Sequence, residues 1–251
     1  MTAPDTARPL VSVIMANFRG AAHLEAAMRA VLAQSERRLE LILADDASDD
    51  DSVAIARAVA AGDDRVRVIA SARNGGPAAT RNLALDAARG DWIAIVDSDD
   101  LIHPERLARL VAAAEAAGAD LVADDLVHFG APAEGGRTLL QPLALAAPMW
   151  LGPAPYLRAN GGDPALPAFG YLKPVIRRAV LGNRRYDPGL RIGEDQLQPP
   201  LGLVEDRAHG GFQMRGAAEI GHDDRDKRPR RVRGGHAAIS LRLHDMRTPF
   251  R

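Results

Sequence analysis

The sequence contains no cysteine in its 251 residues. A disulfide framework and a thiolate metal site are therefore both excluded, and any bound metal must take oxygen or imidazole ligands. The chain also contains no run approaching the roughly 20 apolar residues of a membrane helix, and no basic N-terminal segment that leads into an apolar core. These features predict a cytoplasmic protein.

Two common nucleotide-binding motifs are missing as well. No GxGxxG follows the first predicted strand, and neither GxxxxGKS nor GxxxxGKT occurs anywhere in the chain. These absences argue against a dinucleotide dehydrogenase and against a P-loop kinase. The net charge of -1 gives no overall attraction to polyanions, so we expect no nucleic-acid partner.

Short apolar segments alternate with segments of helical period through the first half of the chain. This alternation is typical of a mostly parallel sheet covered by helices on both faces, so the pattern predicts an α/β fold. The predicted strands span 11–16, 39–44, 66–70, 92–96 and 120–129, and the predicted helices span 21–34, 52–61, 76–90 and 104–118.

The second half of the chain is less regular. Residues 130–170 are dense in glycine and proline, which predicts loops rather than sheet, with one short helix near 153–160. Another short helix is predicted over 174–181. After Asp195, prolines, paired glycines and the basic run RDKRPRRVR replace any helical period, so no packed structure is derived for that part.

Acidic residues collect where two of the predicted strands end. Asp45 and Asp46 follow the second strand, and Asp97, Asp99 and Asp100 follow the fourth. Ligands of parallel α/β sheets bind at the carboxyl ends of the strands, and closely spaced carboxylates favour Mg²⁺ or Mn²⁺, which also bind substrate phosphates. The alternative is a polar turn that caps the following helix.

A glycine-rich turn, NGGPAATRNLAL, precedes the third predicted helix. Asn74, Gly75 and Gly76 open this helix, and the free N–H groups and the dipole of a helix start suit an anion. A plain left-handed turn explains the same residues equally well.

In their order along the chain, these segments resemble the family 2 glycosyltransferases from about residue 10 to 195. The resemblance implies a GT-A fold, a Rossmann-like α/β fold with a mostly parallel central sheet flanked by helices, here with an irregular C-terminal part. It also implies metal-dependent transfer of a sugar from a nucleotide diphosphate donor, with inversion. The partners would be a nucleotide-sugar donor and a saccharide or lipid-linked saccharide acceptor.

Four motifs carry this resemblance. VSVIMANF resembles the family's first strand, with Ala16 in place of the usual proline and Phe18 as the aromatic residue near the base. LILADDAS is similar to the family's VVDDGS, which implies a hydrogen bond between Asp46 and the nucleobase. NGGPAATRN is similar to NGGxxxARN, and VDSDD resembles the DxD motif. The implied donor-binding residues are Ala16, Phe18, Asp46, Gly75, Gly76, Arg81, Asp97 and Ser98, with Asn82 nearby, and the implied ligands of Mg²⁺ or Mn²⁺ are Asp99 and Asp97.

GED resembles the family's downstream ED motif, which implies that Asp195 is the catalytic base and Glu194 a supporting neighbour. A loop carboxylate without a role is the alternative. The segment leading to it resembles bacterial exopolysaccharide glycosyltransferases of the succinoglycan type. Its basic residues Lys173, Arg177 and Arg178 either meet a lipid-linked diphosphate acceptor or form a solvated helix face.

The resemblance divides the chain into a nucleotide-sugar-binding subdomain at 1–128, an acceptor-side subdomain at 129–195 and an atypical tail at 196–251. Two prolines and scattered glycines replace the apolar helix that usually follows the ED motif. We therefore hypothesise a frame-shifted or disordered tail, and as an alternative function a catalytically impaired nucleotide-sugar-binding protein. The basic run of the tail has a further interpretation as a membrane-surface or nucleic-acid patch, and the first of these would place the protein peripherally at the inner face of the cell membrane.

Overall fold

The computed structural model describes residues 8–127 and 138–189, together with short strands at 203–206, 211–214 and 238–241. Strands and helices alternate up to residue 124, as the sequence predicts. In chain order the elements are β1 Val11–Asn17, α1 Leu24–Leu32, β2 Leu39–Asp45, α2 Ser52–Ala61, β3 Val66–Ala70, α3 Gly76–Ala87, β4 Trp92–Ile95, α4 Arg106–Ala117, β5 Leu121–Asp124, β6 Met149–Trp150, α5 Pro153–Asn160, β7 Val175–Arg177, α6 Arg178–Leu181, β8 Leu203–Asp206, β9 Gly211–Met214 and β10 Ala238–Leu241.

One sheet organises these elements, with the strand order β3-β2-β1-β4-β7-β5-β10-β6. Its first four strands are parallel, so their carboxyl ends meet at one edge. Strand β7 then inserts antiparallel between β4 and β5, and β10 pairs antiparallel with β5 and parallel with β6. Strands β8 and β9 form a separate antiparallel hairpin. The α/β fold class is therefore confirmed.

The sheet is buried on both faces because its strands are apolar at consecutive positions. In β1, Val13 and Met15 belong to one core cluster, whereas Ile14 between them belongs to the cluster on the opposite face. Successive side chains of a strand point to opposite faces, so a continuous apolar run fits only a strand covered on both sides. Burial on both faces leaves the strand ends as the place for polar residues, which are described below.

Two predictions for the second half of the chain are wrong and one is confirmed. The helix expected over 174–181 is a strand at Val175–Arg177 followed by a four-residue helix, because β4 and β5 flank this segment on both sides. Residues 130–170 were expected to contribute no strand, yet Met149–Trp150 pairs with β10. The short helix expected near 153–160 is present at Pro153–Asn160.

Three strands at 203–206, 211–214 and 238–241 fall within the region predicted to be an atypical tail. The division of the chain at residues 128 and 195 stays a prediction. Among the helices that the structure describes, none is long and apolar enough to cross a membrane.

Candidate functional site

A cavity of about 390 Å³ lies where the carboxyl ends of β1, β2 and β4 meet the start of α3. This is the position at which parallel α/β sheets bind ligands. The donor-binding and metal residues that the sequence implied in this part of the chain all line the cavity except Gly75. The backbone N–H of Gly75 binds Asp46, which does line it. The lining residues are Ala16, Asn17, Phe18, Asp46, Asn74, Gly76, Pro77, Thr80, Arg81, Asp97, Ser98 and Asp99.

The two acids at the carboxyl end of β2, Asp45 and Asp46, bind different partners. The Asp45 carboxylate accepts hydrogen bonds from the Asn17 side chain at 2.8 Å and from the backbone and hydroxyl of Ser48 at 2.8 and 2.7 Å. The buried Asp46 carboxylate accepts the backbone N–H groups of Gly75 and Gly76, at 2.7 and 2.9 Å. Asp45 therefore organises the turn after β2, and Asp46 connects that turn to the start of α3.

The sequence left two interpretations of the glycine turn open, a helix start whose free N–H groups suit an anion and a plain left-handed turn. In the structure, the N–H groups of Gly75 and Gly76 bind the carboxylate of Asp46. Gly76 adopts a φ of 85°, a left-handed conformation that side chains other than glycine rarely take. The glycine pair thus serves to bring the backbone onto Asp46.

Replacing Asp46 with asparagine is expected to lower the free energy of unfolding by about 2 kcal/mol, because an amide provides only one acceptor oxygen for two backbone N–H groups and carries no charge. Urea denaturation followed by circular dichroism measures this change. Asp49→Asn, in the same acidic loop, is the matched control: Asp49 is exposed and pairs with Arg19 at 2.7 Å. A control variant as destabilised as Asp46→Asn would contradict the assignment.

Asp97, at the end of β4, is paired with two cations. Its Oδ2 lies 2.5 Å from the Lys173 ammonium, and its Oδ1 lies 3.6 Å from the Arg81 guanidinium. Arg81 is buried and also lies over the ring of Tyr186, with its guanidinium carbon 5.6 Å from the centroid. Two positive charges from separate elements therefore compensate the Asp97 carboxylate.

Asp99 differs from Asp97 in its surroundings. Its side chain is exposed and lines the cavity, and within residues 8–127 and 138–189 no hydrogen bond or ion pair reaches its carboxylate. Asp100, one residue further on, is partly buried, and burial together with the negative charge of Asp97 raises the pKa of its carboxyl. The electrostatic environment around Asp99 thus favours an added cation.

The carboxylates at this strand end fit a hard divalent cation. Mg²⁺ and Mn²⁺ prefer oxygen ligands, and Mg²⁺ is usually held by one or two carboxylates plus substrate phosphates rather than by a complete protein cage. The described part of the chain contains no group of three or more His, Asp or Glu side chains arranged to hold a metal ion. Among the described residues, Asp97 and Asp99 are the carboxylates after β4 that line the cavity.

One aromatic side chain, that of Phe18, lines another side of the cavity. Phe18 follows β1 and is 47% exposed, and the guanidinium carbon of Arg19 lies 5.0 Å from the centroid of its ring. Ala16 is half-buried at the end of the same strand and also lines the cavity. The ring of Phe18 thus leaves an apolar surface beside the carboxylates, as a site for a planar heterocycle requires.

Several residues take places that the sequence did not indicate. The amide of Asn82 exchanges two hydrogen bonds with the backbone of Tyr186, both at 2.9 Å, and does not line the cavity. Asn17 and Thr80 line it but were not predicted, although Asn17 ends a strand and the argument from strand ends applies to it. Asp195, the predicted base, and its neighbour Glu194 lie outside the described residues.

The basic residues after 172 do not form a solvated helix face. Lys173 precedes β7 and binds Asp97. Arg177 pairs with Asp120 at 3.1 Å and stacks on Trp92 at 4.3 Å, and the Arg178 guanidinium donates to the Gly90 carbonyl at 2.5 Å. All three are therefore engaged with the protein itself.

Comparison with known proteins gives a family match. The model of the family described as glycosyl transferase family 2 matches residues 12–179. The chain is 37% identical over 191 residues to the succinoglycan biosynthesis protein ExoO of Rhizobium meliloti, covering 75% of this chain and 54% of that protein. The chain thus spans about half the length of the curated relatives that it matches.

Solved structures share the fold. S. aureus TarS 1-349 in complex with UDP-GlcNAc superposes with a TM-score of 0.55 and 21% identity over 75% of this chain and 51% of that chain. The mannosyltransferase PcManGT from Pyrobaculum calidifontis, in complex with GDP-Man and Mn2+, gives a TM-score of 0.54 and 20% identity over 77% of this chain and 51% of that chain. Both are GT-A structures, as the sequence resemblance predicted for this chain. The family match covers more than half of the sequence, and the chain belongs to glycosyl transferase family 2.

Proposed function

We propose that the chain transfers a sugar, with inversion and with the help of a divalent metal, from a nucleotide diphosphate donor to a saccharide or lipid-linked saccharide acceptor, in the biosynthesis of an exopolysaccharide or cell-surface polysaccharide. The observation that carries the proposal is the cavity at the carboxyl ends of three parallel strands, in which an aromatic ring and the Asp97–Asp99 segment face one space. The family and the name of the 37% identical relative support the same reaction and process.

The lining residues suggest how a donor would lie in the cavity. The base lies beside Phe18 and near Asp46, whose remaining lone pairs accept its N–H groups. The diphosphate extends toward Asp97, Ser98 and Asp99. A divalent metal bound there would neutralise the charge of the leaving diphosphate. Two structural neighbours are complexes with a nucleotide sugar, one of them also with Mn2+.

The residues of the chain itself then position and deprotonate the acceptor. Asp195 accepts the proton of the acceptor hydroxyl while the oxygen attacks the anomeric carbon, and the bond from that carbon to the diphosphate breaks on the opposite side. A single displacement of this kind inverts the anomeric configuration. Arg81 and Lys173 hold Asp97 in place during this step.

The test is donor turnover by the purified chain. UDP-linked and GDP-linked sugars are incubated with Mn²⁺ and with lipid extracts as acceptor, the released nucleoside diphosphate is measured, and the anomeric configuration of the product is read by NMR. We expect release that requires the metal and that Asp195→Asn abolishes, while the affinity for nucleoside diphosphate is unchanged. Nucleotide binding without turnover would instead support a catalytically impaired nucleotide-sugar-binding protein.

A further inference from the structure

Lys173 supplies a positive charge directly at the acidic strand end. Its ammonium lies 2.5 Å from Oδ2 of Asp97, and its side chain is 17% exposed. It is one of only two lysines in the chain, and the segment that carries it enters the sheet as β7, between β4 and β5. The cation is thus brought to the β4 end from a part of the chain about 75 residues away.

The backbone of Lys173 is held in place by a second set of contacts. Arg106, a buried residue in the first turn of α4, donates a hydrogen bond to the Lys173 carbonyl at 2.5 Å and binds Asp124 through two guanidinium nitrogens at 2.7 to 3.0 Å. Pro174 restricts the preceding residue to an extended conformation. The backbone position from which the Lys173 ammonium reaches Asp97 is therefore fixed.

This arrangement makes the two carboxylates of the DxD segment unequal. Asp97 is compensated by Lys173 and Arg81, whereas in the part of the chain that the structure describes no cation pairs with Asp99. A divalent ion that approaches Asp97 meets the ammonium of Lys173 on the same carboxylate, and like charges at such a distance repel. Asp99 alone is too weak a site to hold Mg²⁺ or Mn²⁺ without further oxygen ligands.

From these contacts we infer that Lys173 is a resident counter-ion of Asp97, a positioning residue that acts through Asp97 to weaken the binding of divalent metal by the nucleotide-free site. Asp99 would then hold a metal mainly when a nucleoside diphosphate is bound, because its phosphates would supply further oxygen ligands. This inference rests on the proposed function, which supplies the metal and the nucleotide. It adds that metal binding depends on the nucleotide and that Lys173 is the residue responsible.

The test measures Mn²⁺ binding to the nucleotide-free chain by electron paramagnetic resonance of free Mn²⁺. Removing an opposite charge a few Å from a carboxylate alters its affinity for a cation by about tenfold or more, as pKa shifts of one unit and above show. We therefore expect Lys173→Met to bind Mn²⁺ about tenfold more tightly than the unaltered chain. The gain should disappear in the double variant Lys173→Met with Asp97→Asn.

Two controls separate this role from a merely structural one. Lys173→Arg keeps the charge and should leave Mn²⁺ affinity within about twofold of the unaltered chain. Arg177→Met removes one positive charge four residues further on, where Arg177 pairs with Asp120, and should also change little. Melting temperatures establish that each variant is folded, and Lys173→Gln replaces Lys173→Met if the latter does not fold.

The inference is overturned if Lys173→Met binds Mn²⁺ no more tightly than the unaltered chain, including the case in which neither binds it. It is equally overturned if Arg177→Met gives the same gain. The proposed function fails by a different result, the absence of any effect of nucleoside diphosphates with Mn²⁺ on the melting temperature of the unaltered chain. The two failures are therefore distinguishable.

Discussion

Asp99→Asn is expected to lower kcat/KM for the nucleotide-sugar donor by about 100-fold or more. The reason is the position of the carboxylate, which lines the cavity and is exposed, without a hydrogen bond or ion pair from residues 8–127 or 138–189. An asparagine of the same shape keeps the turn but removes the charge that would bind the metal. Nucleoside diphosphate release from the donor, followed at saturating Mn²⁺, measures the change.

Asp91→Asn is the matched control. It is the same substitution at the residue that immediately precedes β4, whereas Asp99 follows this strand. Asp91 is exposed and pairs with Arg8 at 2.6 Å, away from the cavity. We expect its kcat/KM to stay within about twofold of the unaltered chain. If Asp99→Asn retains full activity, or if both variants lose it equally, Asp99 does not have the proposed role.

Arg106→Leu is expected to lower the free energy of unfolding by about 3 kcal/mol, since it leaves the Asp124 carboxylate partly buried without its partner. The Arg106 side chain is 7% exposed and the Asp124 side chain 20%. Leucine preserves part of the apolar packing of α4 but offers no donor to Asp124 or to the Lys173 carbonyl. Chemical denaturation of the two proteins at pH 7 gives the difference.

Arg109→Leu on the same helix provides the comparison. Arg109 is exposed and pairs with Glu105 one turn away, a type of surface ion pair that contributes little to stability. We expect a much smaller loss of stability for this variant than for Arg106→Leu. Equal losses for the two would show that the Arg106–Asp124 pair is not what connects α4 to β5 and to the segment of Lys173.

The parallel part of the fold is predictable because its signals are local. Strands β1 to β4 are apolar runs, and the helices between them carry a helical period, so the sequence predicted each element to within a few residues. The polar ends of these strands follow directly from the parallel topology. Ala16, Phe18, Asp46, Arg81 and the Asp97–Asp99 segment therefore gather as expected.

The part that sequence reasoning missed depends on contacts between distant segments. The three-residue strand β7 is formed by pairing with β4 and β5, and such a short apolar segment has no period that distinguishes it from a helix. Because Lys173 precedes this strand, its approach to Asp97 was equally hidden. The engagement of Asp46 by the Gly75 and Gly76 backbone was missed because the sequence shows donors and acceptors but not which ones meet.

The cations that pair with Asp97 could not be identified from the sequence alone. The resemblance implies that Asp99 is a metal ligand and that Asp97 lies near the donor or the metal. The structure adds that Lys173 and Arg81 pair with Asp97. The pairing with Lys173 arises only when β7 is placed beside β4. The proposed consequence is a metal site that depends on the nucleotide for its remaining oxygen ligands.

Thermal melting tests most directly whether this cavity binds a nucleoside diphosphate together with a divalent metal. The chain is melted alone, with Mn²⁺, with UDP or GDP, and with nucleotide and Mn²⁺ together. We expect one nucleotide with Mn²⁺ to raise the melting temperature by about 5 to 10 °C at 100 times its Kd, and Mn²⁺ alone to have almost no effect. A melting temperature unchanged by both nucleotides in the presence of Mn²⁺ would contradict it.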